Sequence, residues 1–122
     1  MNAAYKNLEV WQMAMTLVED CYYTTTKFPA AERFALVNQI RRAAVSIPAN
    51  IAEGACRRHP KVFANHLAIA LGSHAELETY FELVSRLRYL PEEDLNRLTA
   101  RAASTGRLLN GLRRAIRNAK RT

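Results

Sequence analysis

Apolar side chains recur at steps of three and four residues along four stretches of the chain, which is the spacing of one face of an α-helix. The most regular series begins with Leu95, Leu98 and Ala102 and continues to Ile116. Prolines separate the stretches, at positions where they end one helix or open the next. The pattern predicts helices over about residues 8–26, 31–56, 60–89 and 92–119.

Four long helices joined by short turns predict an all-α fold, an antiparallel up-down-up-down four-helix bundle that forms a single domain over residues 1–122. Pro48 lies inside the second helix, where it removes one backbone hydrogen bond, so we expect a kink there. The second and third helices should form a hairpin that turns near residue 58. Asn50 would then lie level with His66.

Polar residues of this hairpin allow two interpretations. The set comprises Arg41, Arg42, Asn50, Glu53, Glu76 and Glu78. The hairpin places the two arginines level with Glu76 and Glu78. Arg–Glu pairs beside the core would then fix the register of the two helices, and this structural network is the interpretation we favour. Alternatively, Glu53, Glu76 and Glu78 would supply a carboxylate pair or a metal site.

Histidine and cysteine spacing does not match a known metal or catalytic motif. The sequence has no CxxC or HExxH, no phosphate-binding loop, no dinucleotide motif and no nucleophile elbow. We therefore expect no metal, no cofactor and no enzymatic activity. An enzyme would need a cavity between subunits. His74 interrupts an apolar seam and is predicted to be a hydrogen-bonded core histidine.

The two cysteines and the hydropathy pattern indicate the compartment. Cys21 and Cys56 are too few for a disulfide framework, and we interpret both as reduced, buried thiols. No run of 18 apolar residues occurs, and the first residues lack the apolar stretch of a signal peptide. We expect a cytoplasmic protein that does not enter a membrane.

Charge is distributed unevenly along the chain. The net charge is +7, yet residues 1–96 hold 10 Lys and Arg against 11 Asp and Glu. The last 26 residues hold eight cations, seven of them arginine, and no acid. Glutamates of the third helix, Glu76, Glu78 and Glu82, should neutralise two or three of these cations, so about five would remain.

This basic excess predicts a surface that binds nucleic acid, since arginine favours bidentate phosphate contacts. The candidate residues are Arg101, Arg107, Arg113, Arg114, Arg117, Lys120 and Arg121. Because the last helix has no aromatic residue, it offers no base stacking, and we expect binding without sequence specificity to RNA or DNA. There are two alternatives: the arginines are simply solvated at the surface, or they form a docking surface for a protein partner.

The first and third helices each carry two apolar seams, more than one side of a bundle core requires. The surplus predicts a subunit interface made by Val10, Leu17, Tyr80, Leu83 and Leu87. The alternative is a thick core within one chain. The first interpretation predicts a homo-oligomer.

Three segments resemble one family of proteins. They are Tyr5 to Gln12, Gln39 to Gly54 with the wording QIRRAAVSIPANIAEG, and Ala70 to Thr79 with ALGSxAELET, in which His74 replaces an apolar residue. Together they resemble the four-helix-bundle proteins encoded in intervening sequences of bacterial large-subunit ribosomal RNA genes. The accessory variability determinant of diversity-generating retroelements is similar to the same family. The resemblance implies a ring, a homopentamer, with a basic surface suited to nucleic acid and without catalysis. In the retroelement relatives, the ring is a partner of a reverse transcriptase.

Overall fold

The computed structural model of the chain describes the backbone of residues 4–120 and the side chains of residues 4–119. Over this range the fold is all-α, with four α-helices and no β-strand. The helices are α1 (Glu9–Thr25), α2 (Leu36–Cys56), α3 (Pro60–Leu87) and α4 (Glu92–Lys120). Short 3₁₀ helices at Ala4–Asn7 and Ala30–Glu32 precede α1 and α2.

Local backbone chemistry explains the ends of α3. Pro60 is its first residue, where the missing amide hydrogen costs nothing because the first amides of a helix have no partner. Arg88 caps the other end in the left-handed conformation, with φ 58° and ψ 42°. Its amide donates to the Ser85 and Val84 carbonyls and so satisfies two of the last carbonyls of the helix.

Helix α2 begins at Leu36, later than the predicted start near residue 31. Residues before it form a 3₁₀ turn, in which the Glu32 amide donates to the Pro29 carbonyl at 2.9 Å. The Glu32 carboxylate accepts a 2.6 Å hydrogen bond from the Tyr89 hydroxyl, which follows α3. This contact between distant segments fixes the turn, and no periodicity within the segment could indicate it. Beyond its start, α2 continues through Pro48, which is buried.

The core contains side chains from all four helices. Leu17 of α1, Ile47 of α2, Leu77 of α3 and Leu109 of α4 are each 0% exposed. Helix α1 contacts α2 and α4, and α3 contacts the same two helices. Burial of this apolar surface supplies most of the free energy that stabilises the fold.

Two of the residues predicted at a subunit interface lie instead inside the chain. Val10 is 4% exposed and Leu17 is 0% exposed. Helix α1 contacts two other helices, and the seam that contains Val10 and Leu17 packs within the bundle. The interface prediction is therefore wrong for Val10 and Leu17, and a thick core explains them.

Two ion pairs join α4 to α1 and to the turn that follows α1. Lys27 Nζ lies 2.8 Å from Asp94 Oδ2, and Arg101 Nε lies 3.1 Å from Asp20 Oδ2. Asp20 lies seven residues before Lys27 in the sequence, whereas its partner Arg101 lies seven residues after Asp94. Extending the same register places the last third of α4 level with the Ala4–Asn7 helix.

Candidate nucleic-acid interface

Two arginines of α4 are held by carboxylates of the same chain. Arg97 Nη2 donates to Asp94 Oδ1 at 3.0 Å, and Arg101 Nε donates to Asp20 Oδ2 at 3.1 Å. Arg101 is only about one-third exposed in its side chain. Arg101 was predicted to contact phosphate, but its guanidinium serves to join α4 to α1.

Four further arginines of α4 form no ion pair with any described residue: Arg107, Arg113, Arg114 and Arg117. Arg107, Arg114 and Arg117 are exposed, and their spacing places them on one face of the helix. Arg107 Nη2 donates to the Ser104 hydroxyl at 3.1 Å, which restrains its position. Lys120 and Arg121 belong to the predicted set, but the Lys120 side chain and Arg121 lie outside the described residues.

Arg113 differs from these three because part of its guanidinium is buried. Its Nε atom is inaccessible to solvent and has no hydrogen-bond partner among the described residues. A buried donor without an acceptor costs about 1–3 kcal/mol.

The glutamates of α3 form no ion pair with these arginines in the described part of the chain. Glu76 accepts from the Tyr80 hydroxyl at 2.8 Å, and Glu82 accepts from Arg86 at 3.0 Å. Glu78 Oε1 lies 3.5 Å from His74 Nδ1. Each glutamate thus contacts a residue of α3 itself, and the expectation that they pair with α4 is wrong within the described residues. Glu78 is the one of the three that lines the same groove as Arg107 and Arg114, without an ion pair to either.

Further cations lie at the same end of the bundle. The last third of α4 is level with the Ala4–Asn7 helix, and Tyr5 of that helix shares a cavity with Cys56 and Phe63. We call this region the basic end, and it comprises Lys6, Arg57, Arg58, Lys61, Arg113, Arg114 and Arg117. Lys6, Arg57, Arg58 and Lys61 were absent from the predicted set. The sequence feature that indicates cations at this end is the pair Arg57 and Arg58 at the predicted hairpin turn.

The predicted polar network of α2 and α3 forms with different partners. Asn50 Oδ1 lies 3.1 Å from His66 Nδ1, so the predicted register of Asn50 and His66 is confirmed. Glu53 lies 3.5 Å from Arg57 and 3.7 Å from His66. These residues hold the hairpin close to its turn.

Arg41 and Arg42 do not pair with Glu76 or Glu78 in the described part of the chain. Arg41 donates to the Thr25 hydroxyl at 3.0 Å and to the Tyr22 carbonyl at 3.2 Å, so it joins α2 to α1. Arg42 is exposed. Arg42 and Glu76 nevertheless line one groove between α2 and α3, as the predicted level requires, whereas the Arg41 side chain is directed to α1.

Hydroxyl groups join α2 and α3 where arginines were expected. The Ser46 and Ser73 hydroxyls lie 2.7 Å apart. The Tyr80 hydroxyl lies 2.8 Å from both Gln39 Oε1 and Glu76 Oε2. Partial burial, with the hydrogen bond to Glu76, raises the pKa of Tyr80. Tyr80 thus stabilises the hairpin within one chain.

The remaining interface residues lie on the surface of α3. Leu83 is 41% exposed and Leu87 is 44% exposed, and Ile69 of the same helix is 53% exposed. Tyr80 is half-buried beside them. These side chains form an apolar outer face on α3.

His74 is a buried, hydrogen-bonded histidine, as predicted. Its Nε2 lies 2.7 Å from the Ala102 carbonyl oxygen, so Nε2 carries the proton and donates it. Within the described residues, no group of three or more His, Cys, Asp or Glu could hold a metal ion.

The two cysteines differ in environment. Cys21 is 0% exposed, and burial together with the nearby Asp20 raises its pKa to about 12. Cys56 is exposed, so the prediction of a buried thiol is wrong there. In the described part of the chain, none of the helices is both long enough and apolar enough to cross a membrane.

Fold and surface together define an all-α, four-helix protein with an arginine-rich end. The chain belongs to the 23S rRNA-intervening sequence protein family, whose model matches residues 6–111. It is also similar to the crystal structure of a protein of unknown function from the S23 ribosomal protein family of Bacteroides thetaiotaomicron VPI-5482. The two share 25% sequence identity, with a TM-score of 0.76 over 86% of this chain and 95% of the other. No curated protein matches the chain.

Proposed function

We propose that this protein is a non-enzymatic, cytoplasmic, homo-oligomeric protein that binds nucleic acid through phosphate contacts, without sequence specificity and without a cofactor. The observation that carries the proposal is the set of four α4 arginines without an ion-pair partner among the described residues, three of them exposed on one face of the helix. Arginine contacts phosphate through paired donors. The family is named for 23S rRNA intervening sequences, which favours RNA as the partner.

The proposed architecture is an up-down-up-down bundle that assembles into a homopentameric ring. The α1–α4 ion pairs and the Asn50–His66 contact support antiparallel neighbours. The exposed apolar face of α3 supports assembly. The number five comes from the family resemblance alone.

The test is fluorescence anisotropy with short RNA and DNA duplexes at two salt concentrations. If each chain contacts about four phosphates, a fourfold rise in salt should weaken binding to duplex DNA roughly a hundredfold. Substituting Arg114→Gln and Arg117→Gln together should weaken binding to all sequences equally and reduce the logarithmic salt slope by about two.

The matched control is the pair Arg33→Gln and Arg42→Gln, which removes the same charge from exposed positions outside the basic end. This control should retain most of the affinity. Equal losses in both double variants would show that total charge, and not the basic end, determines binding. Binding that does not change with salt would contradict phosphate recognition.

A second candidate function is a structural adaptor that docks a protein, such as a nucleic-acid enzyme with acidic patches. The same unpaired arginines favour it, because carboxylates also accept from arginine in pairs. The similarity to the retroelement determinant suggests a reverse transcriptase as the partner and stays a prediction. Under this function, Arg114→Gln with Arg117→Gln would abolish capture of that partner, and wild-type protein would bind nucleic acid weakly even at low salt.

A further inference from the structure

An apolar cavity with aromatic walls lies within the basic end. It has a volume of about 170 Å³ and opens between the Ala4–Asn7 helix, the end of α2 and the start of α3. Its walls are Ala4, Tyr5, Leu8, Ala55, Cys56 and Phe63. The cavity therefore presents two aromatic rings and aliphatic surface to a ligand.

The two rings are held in place before any ligand arrives. Phe63 packs directly on the α2 backbone, since a Cβ atom at Gly54 would come within 2.9 Å of Phe63 Cδ1. The Tyr5 ring lies edge-on to Trp11, with centroids 5.4 Å apart. Gln12 Nε2 also donates to the Lys6 carbonyl at 2.8 Å, which ties the 3₁₀ helix to α1. Fixed walls reduce the entropy cost of binding.

Exposed cations neighbour the wall residues of this cavity in the sequence, and one of them, Arg57, lies 3.5 Å from Glu53. Arg57 and Arg58 follow Cys56 directly, Lys6 follows Tyr5, and Lys61 stands two residues before Phe63. Arg58 adopts the left-handed conformation, with φ 55°, in the turn between α2 and α3. An apolar slot with aromatic walls and a cationic rim suits a flat base whose flanking phosphates lie outside.

We propose that this cavity takes one unpaired base of a single-stranded nucleic acid, with Tyr5 and Phe63 against the base and Arg57 and Arg58 on the adjacent phosphates. The proposal rests on the proposed function, because the phosphate contacts of α4 would bring the strand to the cavity. Every base has an aromatic face, so the cavity adds a preference for single strands without adding sequence specificity. The sequence-based expectation of binding without base stacking considered only α4, which lacks aromatic side chains.

The test compares three probes of equal length and label: an oligothymidylate, an abasic oligodeoxynucleotide with the same phosphates, and a blunt duplex. Anisotropy at one salt concentration should show the oligothymidylate binding at least about fivefold more tightly than the abasic strand. The fluorescence of Trp11, the only tryptophan, should change with the oligothymidylate and not with the abasic strand.

Two variants remove the cavity by different routes. Tyr5→Ala deletes one wall, and Ala55→Leu fills the space while keeping every charge. Both should bring oligothymidylate affinity down to that of the abasic strand and leave abasic binding unchanged. Tyr23→Ala, an exposed tyrosine of α1 outside the cavity, is the matched control and should retain the difference.

The outcomes separate this inference from the proposed function. Equal, salt-dependent affinity for the oligothymidylate and the abasic strand would overturn the base-binding cavity and leave phosphate binding intact. No affinity for any probe at low salt would overturn both. Persistence of the preference for the oligothymidylate in folded Ala55→Leu, with circular dichroism as the folding check, would also overturn the cavity.

Discussion

At the scale of single residues, His74 and Gly106 depend on each other. His74 is 8% exposed and donates to the Ala102 carbonyl, one turn before Gly106. A Cβ atom at Gly106 would lie 2.7 Å from Cε1 and 2.8 Å from Nε2 of the imidazole. The ring cannot move away without breaking its hydrogen bond, so only glycine leaves room for it.

Gly106→Ala should therefore lower the free energy of unfolding by about 1–3 kcal/mol. This sign is opposite to the usual effect, since alanine normally stabilises a helix interior relative to glycine by about 1 kcal/mol. Gly111→Ala is the matched control on the same helix, because a Cβ atom there meets nothing within 4 Å. It should be neutral or stabilising. Urea unfolding followed by circular dichroism measures both, and equal effects of the two substitutions would contradict the steric account.

The sequence predicted the character of His74 but not its partner. Its position in an apolar seam indicated burial, and a buried imidazole requires a hydrogen bond. The acceptor is a backbone carbonyl of α4, and backbone carbonyls carry no sequence signal. The same limit applies to Arg41, whose acceptors are the Thr25 hydroxyl and the Tyr22 carbonyl.

At the scale of helices, periodicity located the segments and part of their register. It placed Asn50 beside His66 because a hairpin with a short turn has few alternatives. It missed the late start of α2, which depends on the contact between Glu32 and Tyr89. It also assigned Val10 and Leu17 to a surface, because the number of helices that pack against α1 cannot be read from α1 alone.

The pair of Lys27 and Asp94 makes the α1–α4 contact sensitive to pH. The hydrogen bond from Lys27, with the nearby Arg97, lowers the pKa of Asp94, and the Asp94 side chain is 6% exposed. A carboxylate with a lowered pKa stabilises the fold above its ordinary pKa of about 3.9, and that contribution is lost as the pH falls through the lower folded value. The same hydrogen bond raises the pKa of Lys27, so the pair is also lost at strongly alkaline pH, when Lys27 releases its proton.

Asp94→Asn should therefore lower the melting temperature at pH 7, and the difference from wild type should shrink as the pH falls below about 4. Thermal unfolding between acid and neutral pH measures the effect. Glu82→Gln is the control, because Glu82 pairs with Arg86 on the surface, with side chains 64% and 77% exposed. Exposed pairs contribute little, so this variant should follow wild type. A difference that stays constant with pH in Asp94→Asn would contradict the assignment.

At the scale of the whole molecule, charge and apolar surface lie in different places. Cations gather at the basic end, most of them without an ion-pair partner among the described residues, whereas Ile69, Leu83 and Leu87 lie along the outer face of α3. Charge counting along the sequence found the arginines of α4, but the contribution of Lys6 and Lys61 depends on how the helices align. Because the apolar outer face of α3 and the basic end are separate surfaces, a chain could assemble through α3 and leave the basic end accessible.

The apolar outer face of α3 gives a direct test of assembly. Because Leu83 and Leu87 are 41% and 44% exposed in the single chain, arginine at either position removes little core packing. In an oligomer, the same change would bury a charge without a partner, which is costly. Leu83→Arg with Leu87→Arg should therefore reduce the mass in solution, measured by light scattering, from that of the oligomer to that of one chain. The melting temperature of the separated chain should remain measurable.

Met15→Arg with Tyr23→Arg is the matched control, since these side chains are 37% and 65% exposed and lie on α1, whose partner helices are α2 and α4. This pair introduces the same two charges at exposed positions and should leave the oligomer intact. If the α3 variant keeps the mass of the wild-type oligomer, the subunits meet through another face. If the wild type itself has the mass of one chain, the ring is wrong, and any phosphate binding would then arise from one basic end alone. The salt slope for duplex DNA would distinguish the two cases, because a ring that contacts one strand through several subunits neutralises more phosphates than a single chain does.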